Sequence, residues 1–487
     1  MTGNREELLR RRLSGRAGGR AVPPTAARRA ERPELSFGQR RIWFVDQVQS
    51  DNAAYTIPIA YRVRGDLDVA SLRDALATVV ERHEALRTRL PAFGGEPYQC
   101  IEPAGPVLRC EDLSPETDPE ALAAEIFARE ADSSFDLDAG PLFRARLLRL
   151  ARFDHVLLLT VHHSVFDGWS LGVLTRELSD AYAALHQGRR PQLSQVPLQY
   201  ADFAAWQRAH LTADTLSRHL DYWRGKLAGA PALLELPTDR PRPEVPSHRG
   251  GAVRFTVPAE TAGRLRELAR SQSASLFVVT LAAYQVVLSR YTAMADLVVG
   301  VPVAGRDRRE LEGLIGFFAH TLPLRADLGG DPSFARLVAQ VRESALDGMS
   351  HQELPFEQLV EQLAPARELG RNPLVQVLFN LLTRDTGIEP DALVLTGLEV
   401  TDFSPGPVST RFDLELHLFD HGSELTGRLI YAAELFDRTT MSWFTGHFLN
   451  ALTAVAADPA IPVSAIPLIT DAELDLIARW NAEGETR

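Results

Sequence analysis

Cysteine is almost missing from this chain: Cys100 and Cys110 are the only two in 487 residues. Two thiols cannot staple a chain of this size, which excludes a disulfide framework and fits a reducing, cytoplasmic setting. No Cys/His spacing resembles a zinc site, so no metal is expected. A membrane-length apolar run is missing as well. The longest, Leu276 to Leu288, is interrupted by Thr280, Tyr284 and Gln285 and falls short of a span, so no membrane association is expected. The chain opens on charged residues rather than an apolar core, which does not suit a secretory signal, and Glu6 and Glu7 weaken a transit-peptide reading. Positive charge is also short. With 52 Lys+Arg against 64 Asp+Glu, the formal net charge of -12 lacks the basic surface that phosphate backbones require, and nucleic acid is excluded as a partner.

What is present is ordinary for a globular protein, with 45% hydrophobic and 24% charged residues. A length of 487 residues predicts two lobes of similar size. The chain is organised around His155 to Ser170, HVLLLTVHHSVFDGWS. From His155 to Val161 nearly every side chain is apolar and several are β-branched, the pattern of a short mid-sheet strand buried on both faces. Successive side chains on a strand point to opposite faces, so His162 and His163 cannot both aim at one spot or clamp one metal. One of them faces a site and the other packs. Parity does not choose between them, because both strand faces are apolar. Gly168 is expected to let the backbone turn or a ligand approach closely, and Ser170 to cap a helix bearing Leu171, Leu174, Leu178 and Leu185. Asp167 then lies before a helix N-terminus, where negative charge is stabilised. A lone buried histidine is a satisfied core residue about four times in five. The combination H-H-x-x-x-D-G changes those odds, since chance would produce it in such a chain roughly one time in a thousand.

The remaining pattern is a scaffold for that point. Residues 1–34, rich in Arg, Ala, Gly and Pro with a helical pattern at Glu6 to Leu13, are expected to form a flexible linker or docking arm. Ser36 is expected to cap a helix with Ile42, Trp43, Val45 and Val48 on one face; a strand follows at Thr56 to Arg64, then a helix capped by Asp68. Arg82 and Arg87 are read as pairing with nearby acids to hold that helix to the sheet. A short strand at Pro97 to Ile101, a helix over Glu116 to Phe135 and a strand ending at Leu150, antiparallel to the His155 strand, complete the first lobe at 35–190. Residues 191–470 are expected to hold a bridging segment and the second lobe. Its strands are placed at Ala252 to Val257, Leu297 to Val303, Ile315 to Arg325, Phe412 to Leu418 and Leu425 to Tyr431.

HHSVFDGWS at 162–170 resembles the HHxxxDG signature of condensation domains from nonribosomal peptide synthetases, members of the chloramphenicol acetyltransferase superfamily. LSFGQRRIWF, RHEALRTRL, YADFAAWQ, IGFFAHTLPLR, HQELPFEQLV and RNPLVQVLFN stand in the family's order, so the resemblance runs from about Leu35 to Leu468. It departs at His320, where the family often has Asn, and in the filling Ser164 to Phe166. The resemblance implies an α/β fold of two chloramphenicol-acetyltransferase-like lobes arranged as a V with a tunnel between them. It implies transfer of a donor acyl or peptidyl group from one carrier-protein thioester to the amine of an aminoacyl thioester on a second. The motif wording is similar to the subclass joining an L-donor to an L-acceptor. It further implies that His163 faces the tunnel and acts on the amine, that His162 supports the loop, that Asp167 pairs with Arg306, and that Gly168 and Trp169 line the channel. No cofactor is expected on the domain itself, since substrates ride on phosphopantetheine arms. The implied partners are donor and acceptor carrier proteins and an adjacent adenylation domain, toward which residues 471–487, with Trp480 and Asn481, resemble a linker; the excised domain is expected to be monomeric. Two other outcomes on the same fold are a domain that also modifies the incoming residue, for example by dehydration, and a recruitment domain without turnover. A coenzyme-A acyltransferase of the plant type is disfavoured because its DFGWG element is absent from the sequence.

Overall fold

The computed structural model describes residues 30–48, 53–103, 105, 108–363, 371–383, 393–403, 406, 408–470, 472–476 and 479. The Glu6–Leu13 pattern and most of the expected arm lie outside the described residues, as do Trp480 and Asn481 in the expected terminal linker.

The first half opens with α1 (Phe37–Val48), where Ser36 Oγ accepts the Gln39 N–H at 3.1 Å. Strand β1 (Thr56–Arg64) leads into α2 (Val69–Arg82), capped by the Asp68 carboxylate, which accepts from the N–H groups of Ala70 and Ser71. After β2 (Leu108–Asp112) comes α3 (Pro119–Ala131), shorter at both ends than the expected helix over 116–135. Asp118 caps it and Pro119, which has no N–H to donate, fits its first turn, so the chain before it stays outside the helix. The expected strand at 97–101 is two separate pieces, Glu96–Pro97 on a hairpin with Ala92–Phe93, and Cys100–Ile101 on Thr88–Arg89.

Strands β3 (Phe143–Ala151) and β4 (Asp154–His162) form the expected antiparallel pair and lead to α4 (Gly168–His186). The helix starts three residues earlier than expected, because Asp167 rather than Ser170 is its cap. Gly168 is its first residue and does not have the positive φ of a turn glycine. Two helices, α5 (Tyr200–His210) and α6 (Ala213–Leu227), bridge to the second half.

That half contains β5 (Arg249–Val257), α7 (Ala259–Ser271), the apolar α8 (Leu276–Thr292), β6 (Asp296–Val303), β7 (His320–Asp327) and β8 (Val377–Thr383). It continues through β9 (Glu399–Asp402), β10 (Leu414–Asp420), β11 (Leu425–Ala432) and the helix Arg438–Ala457. No single helix among the described residues is long and apolar enough to cross a membrane.

Two sheets result. The first runs β9-β1-β4-β3-β2; the second runs β7-β6-β8-β10-β11-β5 and ends on Val408–Ser409. β4 is the middle strand of the first sheet and is covered on both sides. Leu157, Leu159 and Val161 pack with α2 and α4 residues such as Leu72, Leu76, Val173 and Leu174, while Val156 and Leu158 pack with Ala123, Ile126 and Phe127 of α3. The edge strand β9 comes from far along the chain, pairing Asp402 with Tyr61 and Glu399 with Arg64. Ala304, Leu311, Leu314, Ile315, Phe318, Leu393 and Leu395 join the first lobe's core as well. The chain therefore crosses back into the first lobe after residue 191, where the expected division put a bridging segment and the second lobe.

Candidate functional site

β4 delivers its last residue, His162, into the core. Its backbone N–H donates to the Leu142 carbonyl at 2.9 Å, and its ring lies between Tyr55 and Phe135, with centroids at 6.1 and 5.7 Å. Nδ1 accepts the Ser164 N–H at 3.3 Å and lies 2.7 Å from Ser164 Oγ. Burial pushes its pKa down to about 3, with the adjacent His163 adding to the effect. His162 is thus a neutral ring locked into its own loop.

At His163 the chain leaves the strand for a single 3-10 turn, His163–Val165, so strand parity no longer sets the direction of this side chain. Its Nδ1 is 2.7 Å from the Phe166 carbonyl. A carbonyl can only accept, so Nδ1 carries the proton and Nε2 keeps a lone pair. The ring meets Phe317 edge-on at 4.8 Å and is partly exposed. Burial pushes its pKa down, the Arg411 guanidinium adds to that, and the Asp167 carboxylate opposes it. At neutral pH the site therefore presents an uncharged imidazole with a fixed tautomer.

Asp167 and Arg306 hold the loop in place. The guanidinium donates to both carboxylate oxygens, at 2.7 and 3.0 Å, with the two side chains 1% and 0% exposed. Every other lone pair in reach is used. Ser170 donates its N–H and hydroxyl to Oδ1 at 2.9 and 2.8 Å, and the N–H groups of Phe318 and Ala319 donate to Oδ2 at 3.0 and 3.2 Å. Although burial works to raise it, the pair and these donors hold the Asp167 carboxyl below the usual carboxylate range. The Arg306 guanidinium also stacks over Phe318 at 4.2 Å. Because the backbone at 318–319 serves Asp167 instead of a sheet ladder, β7 begins at His320, later than the strand expected from Ile315.

Trp169 is mostly buried in the first-lobe core, and its indole N–H donates to the Glu312 carbonyl at 2.7 Å. It anchors the two halves to each other. Gly168 is exposed, and a Cβ built there meets nothing within 4 Å.

Several supports were not singled out from the sequence. Gln39 Nε2 donates to the Ser164 carbonyl at 3.1 Å, tying α1 to the histidine loop. The Tyr200 hydroxyl, 2.8 Å from Ser36 Oγ, donates to the Phe317 carbonyl at 2.6 Å. Gly316 lets that tyrosine in, since a Cβ there would stand 2.0 Å from its ring. The signal was a polar Gln and Tyr inside the conspicuous segments LSFGQRRIWF and YADFAAWQ. Arg82 does pair with an acid, Glu177 at 3.1 Å, but that acid sits on α4, so the pair ties helix to helix rather than helix to sheet. Arg87 reaches the Glu102 carbonyl at 2.6 Å and Glu84 at 3.9 Å.

Beside Phe317 opens a pocket shared by both halves and lined by Ser36, Phe203, Trp206, Gly305, Phe317 and His320 among others. Among the described residues no group of three or more His, Cys, Asp or Glu is arranged to hold a metal ion.

Comparison with known proteins points to one family. The family model "Condensation domain" matches residues 30–478. The chain is 43% identical over 475 residues to one of the linear gramicidin synthase proteins of Brevibacillus parabrevis, covering 96% of this chain and 6% of that protein. The chain thus spans a small fraction of the length of that curated relative. Among solved structures, the X-domain from teicoplanin biosynthesis aligns with a TM-score of 0.84 and 34% identity, covering 92% of this chain and all of that one (100%). The first condensation domain of the CDA synthetase aligns at 0.74 and 26%, covering 91% and 100%.

Proposed function

Because the chain belongs to the condensation-domain family of nonribosomal peptide synthetases, whose members form amide bonds by acyl transfer, we propose that it joins an L-configured donor to an L-configured acceptor, both carried as thioesters. The acceptor's amine nitrogen attacks the donor's thioester carbonyl, the carbon–sulfur bond breaks, and the peptide is left on the acceptor carrier. An α-amine has an ordinary pKa near 8, so an appreciable fraction is neutral at cellular pH. His163 is then assigned to accept a hydrogen bond from that amine at Nε2, take its proton as the tetrahedral intermediate forms, and return it to the departing thiolate. His162 and the Asp167–Arg306 pair are assigned to positioning, and Gly168 to the substrate passage. The observation that carries the reading is the Nδ1–H···O contact with Phe166, which leaves a lone pair on Nε2 of a partly exposed ring.

The partners under this reading are two peptidyl carrier proteins with their phosphopantetheine arms and an adjacent adenylation domain, in the cytoplasm, with the excised domain a monomer. The test loads donor and acceptor onto carriers and weighs the intact proteins. A mass gain of one donor residue on the acceptor carrier is expected; loss of donor to water alone would overturn the assignment. A second reading, recruitment of a partner without turnover, draws on the likeness to the X-domain. It predicts that both carriers keep their original loads while a complex forms.

A further inference from the structure

The second sheet turns one face away from its core. Along β10, Leu414, Leu416 and Leu418 are buried in the second-lobe core, while Glu415, His417 and Phe419 point the other way and stay partly open. Strand register carries that face sideways. His417 pairs with Asn380 of β8 on one side and Arg428 of β11 on the other, and Arg428 pairs with Arg254 of β5. Asn380, His417, Arg428 and Arg254 therefore form one row of hydrogen-bond donors across successive strands.

Left alone, the row is unfavourable. Like charges directly opposite on antiparallel strands repel, and Arg428 and Arg254 are such a pair. Arg428 Nε is buried without a hydrogen-bond partner, and neither arginine forms an ion pair among the described residues. Burial and the neighbouring Arg254 pull the Arg428 pKa down, and Glu415 and Asp402 oppose this only in part. Glu415, one row nearer the histidines, is already engaged: it accepts from Thr410 Oγ1 at 2.6 Å and lies 3.4 Å from His417 Nε2. Arg254 is exposed and Arg428 is only partly compensated, in a chain whose net charge is -12.

The row also lies near the candidate site. Arg411, next to Thr410, sets its guanidinium 5.2 Å from the centroid of the Tyr55 ring, which itself packs on His162. From the Glu415 row to the arginine row is one side-chain repeat along the strand, about 6.7 Å. The phosphodiester of a carrier arm is a full pantetheine chain away from the thioester, so a group recognised beside the thioester belongs to the acyl chain.

We propose that Arg254 and Arg428, with His417 beside them, form an anion-recognition row in the cleft that selects an acyl chain bearing a carboxylate. This rests on the condensation reading and deepens it by naming a substrate class. The test titrates hydrolysis-resistant aminoacyl-pantetheine amides without phosphate into the intact chain, comparing aspartyl with asparaginyl and glutamyl with glutaminyl. Hydrogen bonds to a charged group predict that at least one acid binds about tenfold tighter than its amide. The double variant Arg254→Gln/Arg428→Gln should remove that preference, and Arg428→Lys should keep it. Equal affinities in the native protein, or a preference that survives the double variant, overturn the proposal. So does an amide analogue that recovers the full gain once phosphorylated, which would assign the row to the carrier arm. If the preference holds but loaded carriers give no transfer, the condensation reading fails instead.

Discussion

In the first sheet β4 is covered on both faces, by Leu72 and Val173 among others on one side and by Ile126 and Phe127 on the other. In the second sheet β10 gives one face to the core and shows Glu415 and His417 on the other. A strand covered on both sides can present chemistry only where it ends, and β4 ends at the two histidines. A strand with a free face can present side chains along its length. The first arrangement fixes one atom, Nε2 of His163, against a rigid frame. The second offers a wall whose side chains can change without disturbing the core behind it. Substitutions at the end of β4 should therefore be costly and specific, and those on the free face of the second sheet cheap in stability.

The sharpest way to break that contrast is Asp167→Ala. It leaves the Arg306 charge, with 0% of its side chain exposed, without its partner. Removing one side of a buried pair costs about 3–5 kcal/mol, so the urea midpoint should fall and transfer should be lost with it. The double variant Asp167→Ala/Arg306→Met should recover part of the stability, because no buried charge is stranded, and none of the activity. A soluble Asp167→Ala protein with an unshifted urea midpoint would show that the pair does not hold the loop.

Next in size is His163→Ala. The ring is partly exposed and is not among the core side chains, so the fold should lose little. Loss of a positioned proton acceptor predicts a fall in the transfer rate of about 10²–10⁴-fold, read by intact mass of the acceptor carrier. Rates near those of the native protein would remove His163 from the chemistry.

The contrast between the sheets also explains what the sequence disclosed. Continuous burial of β4 appears as a nearly continuous apolar run, and Asp68 announces its helix by its place before an apolar stripe. Which histidine stays partly exposed was not readable from parity, because the backbone changes from strand to 3-10 turn at His163. The Asp167–Arg306 pair joins residues 139 apart, and no local pattern encodes it; the family resemblance did. Likewise the edge strand Glu399–Asp402 and the row from Asn380 to Arg254 depend on which distant strands become neighbours. Ser170 looked like a cap because it precedes the apolar stripe, but Asp167 has the stronger acceptor and takes that role.

A smaller effect should appear on mild acidification. His162 has its pKa pushed down from an ordinary 6.5 to about 3. Between those values the unfolded chain binds a proton that the folded one refuses, so stability falls as pH drops below about 6.5. The limiting slope is about 1.4 kcal/mol per pH unit for each such histidine. Asp167 acts in a different window. Its depressed carboxyl stabilises the fold above the ordinary carboxylate range and is lost only at still lower pH. Urea midpoints between pH 7 and 5 should thus decline in the native protein and decline less steeply in His162→Gln. Equal slopes would mean that His162 is not held neutral.

The smallest effect belongs to Gly168, where the two kinds of site can be told apart. It is the first residue of α4, does not have a positive φ, and has open space where a Cβ would stand. Alanine suits a helix better than glycine by up to about 1 kcal/mol, less at an end, so Gly168→Ala should raise the urea midpoint slightly and leave the transfer rate alone. Gly168→Trp should fold equally well, because nothing there has to move, yet raise KM for carrier-bound substrate if the open space is the passage to His163. An unchanged KM in the tryptophan variant would place the passage elsewhere and leave the end of β4 reached from the Phe317 side.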